Sequence, residues 1–146
     1  MTTCLVIEDS DVVREVMCKI LRGLGIDVLE ADGLATAVPV AENDRPDLIF
    51  LDWDLPHFGA LDFLRSTFVS LRERRTPMVL CATEYDPRQI ALAKAAGVEY
   101  HLLKPFDPAA IRALLRRMQI VVDVPANLID PSEDESGHFV QKMGQR

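Results

Sequence analysis

Five short apolar runs recur along this chain, near residues 3–8, 26–30, 47–52, 77–82 and 98–103, and longer segments with helical spacing separate them. That alternation leaves few architectures open. Runs that are apolar at nearly every position belong to strands buried on both faces, and in parallel sheets the crossover helices supply the two covers. Five β-α units therefore predict an α/β fold built on a five-stranded doubly wound parallel sheet. Right-handed crossovers and a length of 146 residues favour the strand order 2-1-3-4-5. Ligands of such sheets sit beyond the C-terminal strand ends, where the strand order reverses.

The intervening segments carry their own signals. Val12, Val13, Val16, Met17, Ile20, Leu21 and Leu24 fall on one helical stripe, and Gly23 and Gly25 mark its end. A third helix is expected from about Ala60 to Leu71, burying Leu61, Leu64, Phe68 and Leu71. Asp86-Pro87 and Asp107-Pro108 each set an N-cap acid before a proline at the first helical position. The fourth helix should stop at Gly97, and the fifth should bury Ile111, Leu114, Leu115 and Met118. Pro39 falls inside the expected second helix, Leu34–Glu42. An interior proline costs about 3 kcal/mol, so that helix is expected to start near Val38 or to kink.

Size and charge narrow the function classes. The length suits one domain with one good core, expected over residues 1–120, with 121–146 a C-terminal extension lacking an output domain. A net charge of −7 disfavours nucleic acid and anionic membranes as partners. No apolar run approaches the roughly 18–20 residues of a membrane span, and the N-terminus lacks a secretory pattern, so a cytoplasmic location is expected. Cys4, Cys18 and Cys81 are scattered without metal spacing. In the extension, Ile120–Pro125 reads as extended and Pro131–Gly137 as an acidic stretch that forms no core. It is read as solvated, the alternative being a segment that packs back on the domain or docks a partner through Phe139 and Val140.

Three of the apolar runs end in charge. The first ends in Glu8-Asp9, the third in Asp52, and the fifth in Lys104-Pro105-Phe106. Two carboxylate-bearing strand ends suit Mg²⁺, which takes oxygen ligands and relieves the repulsion among crowded acids. Asp52 is then a nucleophile toward a phosphoryl donor, and Lys104 a mobile point charge for the added oxygens. Pro105 sets the lysine's approach through a turn, with a cis peptide one way to do so. Taken singly, each residue has a plainer reading: an acid after a strand is commonly a helix cap, and Lys-Pro is a common loop pair.

The set Glu8-Asp9, Asp52 with Leu55-Pro56, and Lys104-Pro105-Phe106, in that order, resembles the receiver domain of two-component response regulators, over residues 3–119. The resemblance implies Asp52 as phosphoacceptor, Glu8, Asp9 and Asp52 as Mg²⁺ ligands, and Lys104 as the phosphate-binding lysine. A backbone carbonyl at Trp53 or Asp54 would complete the metal shell, ahead of the Asp54 carboxylate itself. A histidine kinase or phosphotransfer protein is implied as donor and an unknown downstream protein as target, the chain being a monomer or weak dimer.

The departures are as informative. Receivers carry Thr or Ser thirty residues after the acceptor and twenty-two before the lysine, and both counts land on Ala82, with Thr83 one residue late. A one-residue offset in a strand turns a side chain to the other face unless a bulge re-aims it. The usually aromatic partner position holds His101, so the switch set Ala82, Thr83 and His101 is atypical. Gly59-Ala60 replaces the usual pair ending in glycine, which leaves the loop after Pro56 reshaped. Asp54 and Glu84 stand where dephosphorylation is tuned. Arg72, Arg74 and Arg75 read as a solvated loop. The expected protein is a single-domain response regulator that signals by protein contact or relay, not an enzyme beyond slow self-dephosphorylation. The alternative is a receiver-like adaptor that acts independently of phosphorylation.

Overall fold

The structure, a computed structural model, describes residues 2–120 and 140–142. Its strands are β1 (Thr3–Ile7), β2 (Asp27–Ala31), β3 (Leu48–Asp52), β4 (Met78–Ala82) and β5 (Tyr100–Leu103), with β6 (Val140–Lys142) last in the chain. The helices are α1 (Asp11–Gly23), α2 (Leu34–Asn43), α3 (Gly59–Arg74), α4 (Pro87–Ala95) and α5 (Pro108–Arg117), and a 3₁₀ turn, Pro56–Phe58, leads into α3. The first five strands pair in parallel in the order 2-1-3-4-5, as the alternating pattern requires. One strand comes in addition: β6 pairs antiparallel with β5 at the sheet's edge. Of the two readings of the extension, packing back on the domain therefore describes residues 140–142. The extended reading of Ile120–Pro125 beyond Ile120, the acidic stretch Pro131–Gly137 and the role read for Phe139 lie outside the described residues.

Strand side chains alternate between two buried layers. Cys4, Val6, Leu48, Phe50, Val79, Cys81 and Leu102 pack with Met17, Leu21, Ile111 and Leu114 of α1 and α5. Leu5, Ile7, Ile49, Leu51, Met78 and Leu80 pack with Ala37, Phe63, Leu64 and Ala93 of α2, α3 and α4. The predicted caps form: Asp86 accepts from the Arg88 N–H and Asp107 from the Ala109 N–H, each at 2.9 Å.

Three expectations are corrected. In α1 the core-facing stripe is Met17, Cys18 and Leu21, while Val12 and Val16 are 73% and 44% exposed. Apolar residues at 12 and 16 are centred about 140° around the helix from 17 and 21, and periodicity alone cannot choose between the two stripes. In α3, Phe63 and Thr67 are buried, whereas Phe68 is 38% exposed. Thr67 enters the core because its hydroxyl donates to the Phe63 carbonyl at 2.7 Å, so no polar atom is left unpaired. Finally, α2 starts at Leu34 rather than near Val38, with Pro39 inside it. Ala37 and Ala41 on its inner face are fully buried, and the Arg74 guanidinium donates to the Ala41 and Glu42 carbonyls at 2.8 and 3.0 Å. Packing and this added cap offset the lost backbone bond. Arg74 is thus a helix-capping residue rather than part of a solvated loop.

The burial contrast sets a stability expectation. Phe63→Ala should cost about 3–5 kcal/mol, the range for removing a buried aromatic ring. Val12→Ala should change stability by less than about 0.5 kcal/mol. Denaturant midpoints at constant slope check both, and equal shifts would contradict the assigned faces.

Candidate functional site

The charged strand ends converge at the C-terminal rim of the sheet. Glu8 follows β1, Asp52 closes β3 and Lys104 follows β5, so residues far apart in the chain meet because the parallel strands end level with one another. Glu8 and Asp52 are both buried, at 4% and 1% exposure, while Asp9 beside Glu8 is exposed. Lys104 Nζ lies 2.6 Å from Glu8 Oε1 and 2.8 Å from Asp52 Oδ1. The Asp54 N–H also donates to Asp52 Oδ1, at 2.9 Å. The Ser10 N–H holds Glu8 Oε2 at 3.1 Å, and the Arg14 guanidinium donates to the Glu8 carbonyl at 2.8 Å. Arg14 was not legible as a site residue; its only sequence signal is the helical pairing with Asp11, now a 2.6 Å ion pair. The Lys104-Pro105 peptide is cis.

These contacts leave the two oxygens of Asp52 unequal. Oδ1 takes two donors, while Oδ2 is buried with no hydrogen-bond partner among the described residues. A buried acceptor without a partner is costly unless something else meets it. Carboxylate oxygens of Glu8, Asp9 and Asp52 all lie within 4.8 Å of one another. An orphaned anionic oxygen inside a three-acid cluster with one lysine fits a hard divalent cation such as Mg²⁺. The Asp54 carboxylate is outside that cluster: its Oδ2 accepts from both the N–H and the hydroxyl of Thr83, each at 3.3 Å.

Around this centre the departures take definite form. Ala82 ends β4 and is buried, so a methyl occupies the position where receivers present a hydroxyl. Thr83 is exposed and engaged with Asp54. His101 is 6% exposed, and its ring lies 5.6 Å from that of Tyr85, centroid to centroid. Glu84 is exposed beside them. In the loop after Pro56 the left-handed residue is His57, at φ 57°, while Gly59 opens α3 in helical conformation. Gly59 answers to close approach: a Cβ there would sit 3.2 Å from Leu55 Cβ.

The electrostatics follow from burial. Desolvation, and then the neighbouring Glu8, push the Asp52 carboxyl up to about 7 against the opposing pull of Lys104 and the Asp54 N–H. Burial draws the Lys104 ammonium down, but its bonds to Asp52 and Glu8 outweigh that and hold it above the ordinary lysine value. A carboxyl raised on folding stabilises the fold fully below the unfolded value of about 4. That contribution is lost as pH rises through about 7. Without divalent metal, the melting temperature of the wild type should therefore fall across this window relative to Asp52→Asn. Millimolar Mg²⁺ should flatten the difference. Parallel melting curves for the two proteins without metal would contradict the raised carboxyl.

Comparison with known proteins places this geometry. The family model for the response regulator receiver domain matches residues 4–116. The chain is 30% identical to the phosphate regulon transcriptional regulatory protein PhoB of Klebsiella pneumoniae, over 88% of this chain and 60% of that protein. It is 28% identical to the chemotaxis protein CheY of Pseudomonas aeruginosa, over 78% of this chain and 93% of that protein. The chain thus spans about 60% of the length of PhoB-type relatives. Among solved structures, chemotaxis protein CheY4 of Vibrio cholerae superposes with a TM-score of 0.75 at 27% identity, covering 80% of this chain and 98% of that one. A CheY-like receiver protein from Methanospirillum hungatei shares the fold at a TM-score of 0.69 and 18% identity, over 94% of this chain. With its sheet order, its acidic rim and its matched residues in agreement, the chain belongs to the response regulator receiver domain family.

Proposed function

We propose that the protein accepts a phosphoryl group on Asp52 from a histidine kinase or phosphotransfer protein, and signals through protein contact or onward relay. The observation that carries this reading is the asymmetry of Asp52, with Oδ1 pinned by Lys104 and the Asp54 N–H and Oδ2 left without a partner among the described residues. Phosphoryl transfer depends on alignment and charge neutralisation more than on elaborate covalent chemistry. Pinning Oδ1 fixes the plane of the carboxylate and so directs its other oxygen. The Asp52 carboxylate forms the new O–P bond as the donor's N–P bond breaks, and the leaving imidazole keeps that electron pair. Glu8, Asp9 and Asp52 hold Mg²⁺, with a backbone carbonyl at Trp53 or Asp54 completing the set. When bound, the ion neutralises the charge of the acids and the phosphoryl oxygens. Lys104 exchanges its contact with Asp52 Oδ1 for the added phosphoryl oxygens, which its length and single point of charge allow.

A second reading rests on Ala82. A receiver surface whose β4 end carries a methyl, with the hydroxyl of the adjacent Thr83 donating to Asp54, supports an adaptor whose binding does not depend on phosphorylation.

Intact-mass analysis with a small phosphoryl donor separates the readings. One added phosphoryl group is expected with Mg²⁺, none without it, and none on Asp52→Asn. Absence of an adduct under conditions that label an ordinary receiver would favour the adaptor. Where labelling occurs, Ala82→Thr should strengthen phosphorylation-dependent partner binding. Unchanged binding would assign the role of the missing hydroxyl to another donor.

A further inference from the structure

Helices α3 and α4 cover the same face of the sheet and leave a groove between them. Three adjoining hollows of about 540, 410 and 460 Å³ follow one another along it. Leu61 and Leu92 line both the first and the second, and Leu64, Phe68, Ala95 and Ala96 line both the second and the third, so the hollows are continuous. The upper end is at Trp53, beside the acidic rim, and the lower end is at Arg75 and Gly97. The apolar lining is open to solvent: Phe68 is exposed, and Leu92 is 53% exposed. From Leu61 to Leu71 the strip covers about 15 Å of α3, nearly three turns.

Charge is unevenly spread along this groove. The chain has a net charge of −7, yet Arg65, Arg72, Arg75 and Lys94 border the middle and lower end, with Glu99 the acid among them. Arg65 is paired with Asp62 at 3.7 Å, whereas Arg75 and Lys94 make no ion pair among the described residues. The Arg72 guanidinium lies 5.5 Å over the Phe68 ring, which joins the basic end to the apolar strip. A cation in the last turn of a helix answers its dipole, and that accounts for Arg72 and Lys94 taken singly. It does not account for an exposed apolar strip that leads to them.

We infer that the α3–α4 groove docks an amphipathic helix of a partner protein, apolar along one stripe and acidic in its first turn. Two physical arguments choose that occupant. Both walls are helices whose backbone groups are bonded internally. An extended peptide would therefore bury N–H and C=O groups with nothing to pair them, whereas a helix brings its own pairs. The basic end then fixes polarity, because it lies at the C-terminal ends of both α3 and α4. A docked helix running antiparallel to both opposes its dipole to theirs and sets its first-turn acids beside Arg72, Arg75 and Lys94. Its apolar stripe then lies over Leu64, Phe68 and Leu92.

The test uses the full chain and two synthetic, tryptophan-free amphipathic helices of about fourteen residues. The two are equal in composition, with the glutamates in the first turn of one and in the last turn of the other. Titration calorimetry should show the acid-first peptide binding about tenfold more tightly, the sum of a few exposed ion pairs. Arg72→Gln combined with Arg75→Gln should abolish that preference, and raised salt should narrow it. Leu92→Gln, at an exposed helical position, should weaken both peptides about tenfold. Emission from Trp53, the chain's one tryptophan, should shift on binding. Equal affinity for the two peptides, or a preference that survives loss of both arginines, would overturn the acidic helix as occupant. Binding unchanged by Leu92→Gln would place the peptides elsewhere and overturn the groove. Binding that appears only after Glu133→Gln, Asp134→Asn and Glu135→Gln together would make the chain's own acidic stretch the occupant. Self-association that Leu92→Gln abolishes would make a second copy the occupant, and either result would overturn a partner helix. No binding to the wild type or to that neutralised variant would overturn the groove as a docking site.

Discussion

The Lys104 ammonium sits between Glu8 and Asp52, and through it the ends of β1, β3 and β5 are tied at one point. In the strand order 2-1-3-4-5, β5 is separated from β3 by β4, so this side chain reaches across a neighbouring strand to meet its partners. The arrangement is a poor device for stability alone. Taking three charges out of water costs several kcal/mol per ion before their attraction is counted, and apolar side chains of similar volume commonly do as well. Burial in fact drives Asp52 toward its protonated form. A rim of this kind makes physical sense as a site held ready for a cation, which would offset both the excess of acids already present and the charge that a phosphoryl group would add.

The rest of the fold serves to keep that rim level. β1 from Cys4 and all of β3 and β4 are buried, so the strands that carry or flank Glu8 and Asp52 have packed layers on both sides and no freedom to slide. A register slip of one residue would turn every side chain of a strand to the opposite layer. It would also withdraw Asp52 from Lys104. Precision at the site therefore comes from the apolar core beneath it, and the helices contribute mainly by covering that core.

This division explains what could be read from the residues alone. The five strands were legible because burial on both faces demands continuous apolar runs, and the acids and lysine stood out because each interrupts such a run. The helices were less legible because their signals compete. Val12 and Val16 are as apolar as the residues that face the core, and Thr67 is buried through a bond to its own helix that residue type does not announce. Pro39 was weighed by its intrinsic cost, but the compensation comes from Arg74, thirty-five residues later in the chain. Strand β6 was the least legible of all, since three residues carry almost no pattern and their placement depends on the edge they meet.

Asp54 shows how one substitution can reorganise the neighbours of a site. With Ala82 at the end of β4, the first hydroxyl after that strand belongs to Thr83, and both its hydroxyl and its amide meet Asp54 Oδ2. The Asp54 N–H meanwhile positions Asp52. One residue thus orients Asp52 through its backbone and meets Thr83 of the β4–α4 connection through its side chain. Both distances to Thr83 are 3.3 Å, at the long end for hydrogen bonds, and the pair is exposed, so the contact is weak enough to yield. Added negative charge on Asp52 would act on Asp54 by repulsion, two residues away, where a hydroxyl at position 82 would have acted by attraction. On the proposed phosphorylation of Asp52, the Asp54–Thr83 contact would thus answer to a carboxylate pushed away rather than to a hydroxyl drawn in.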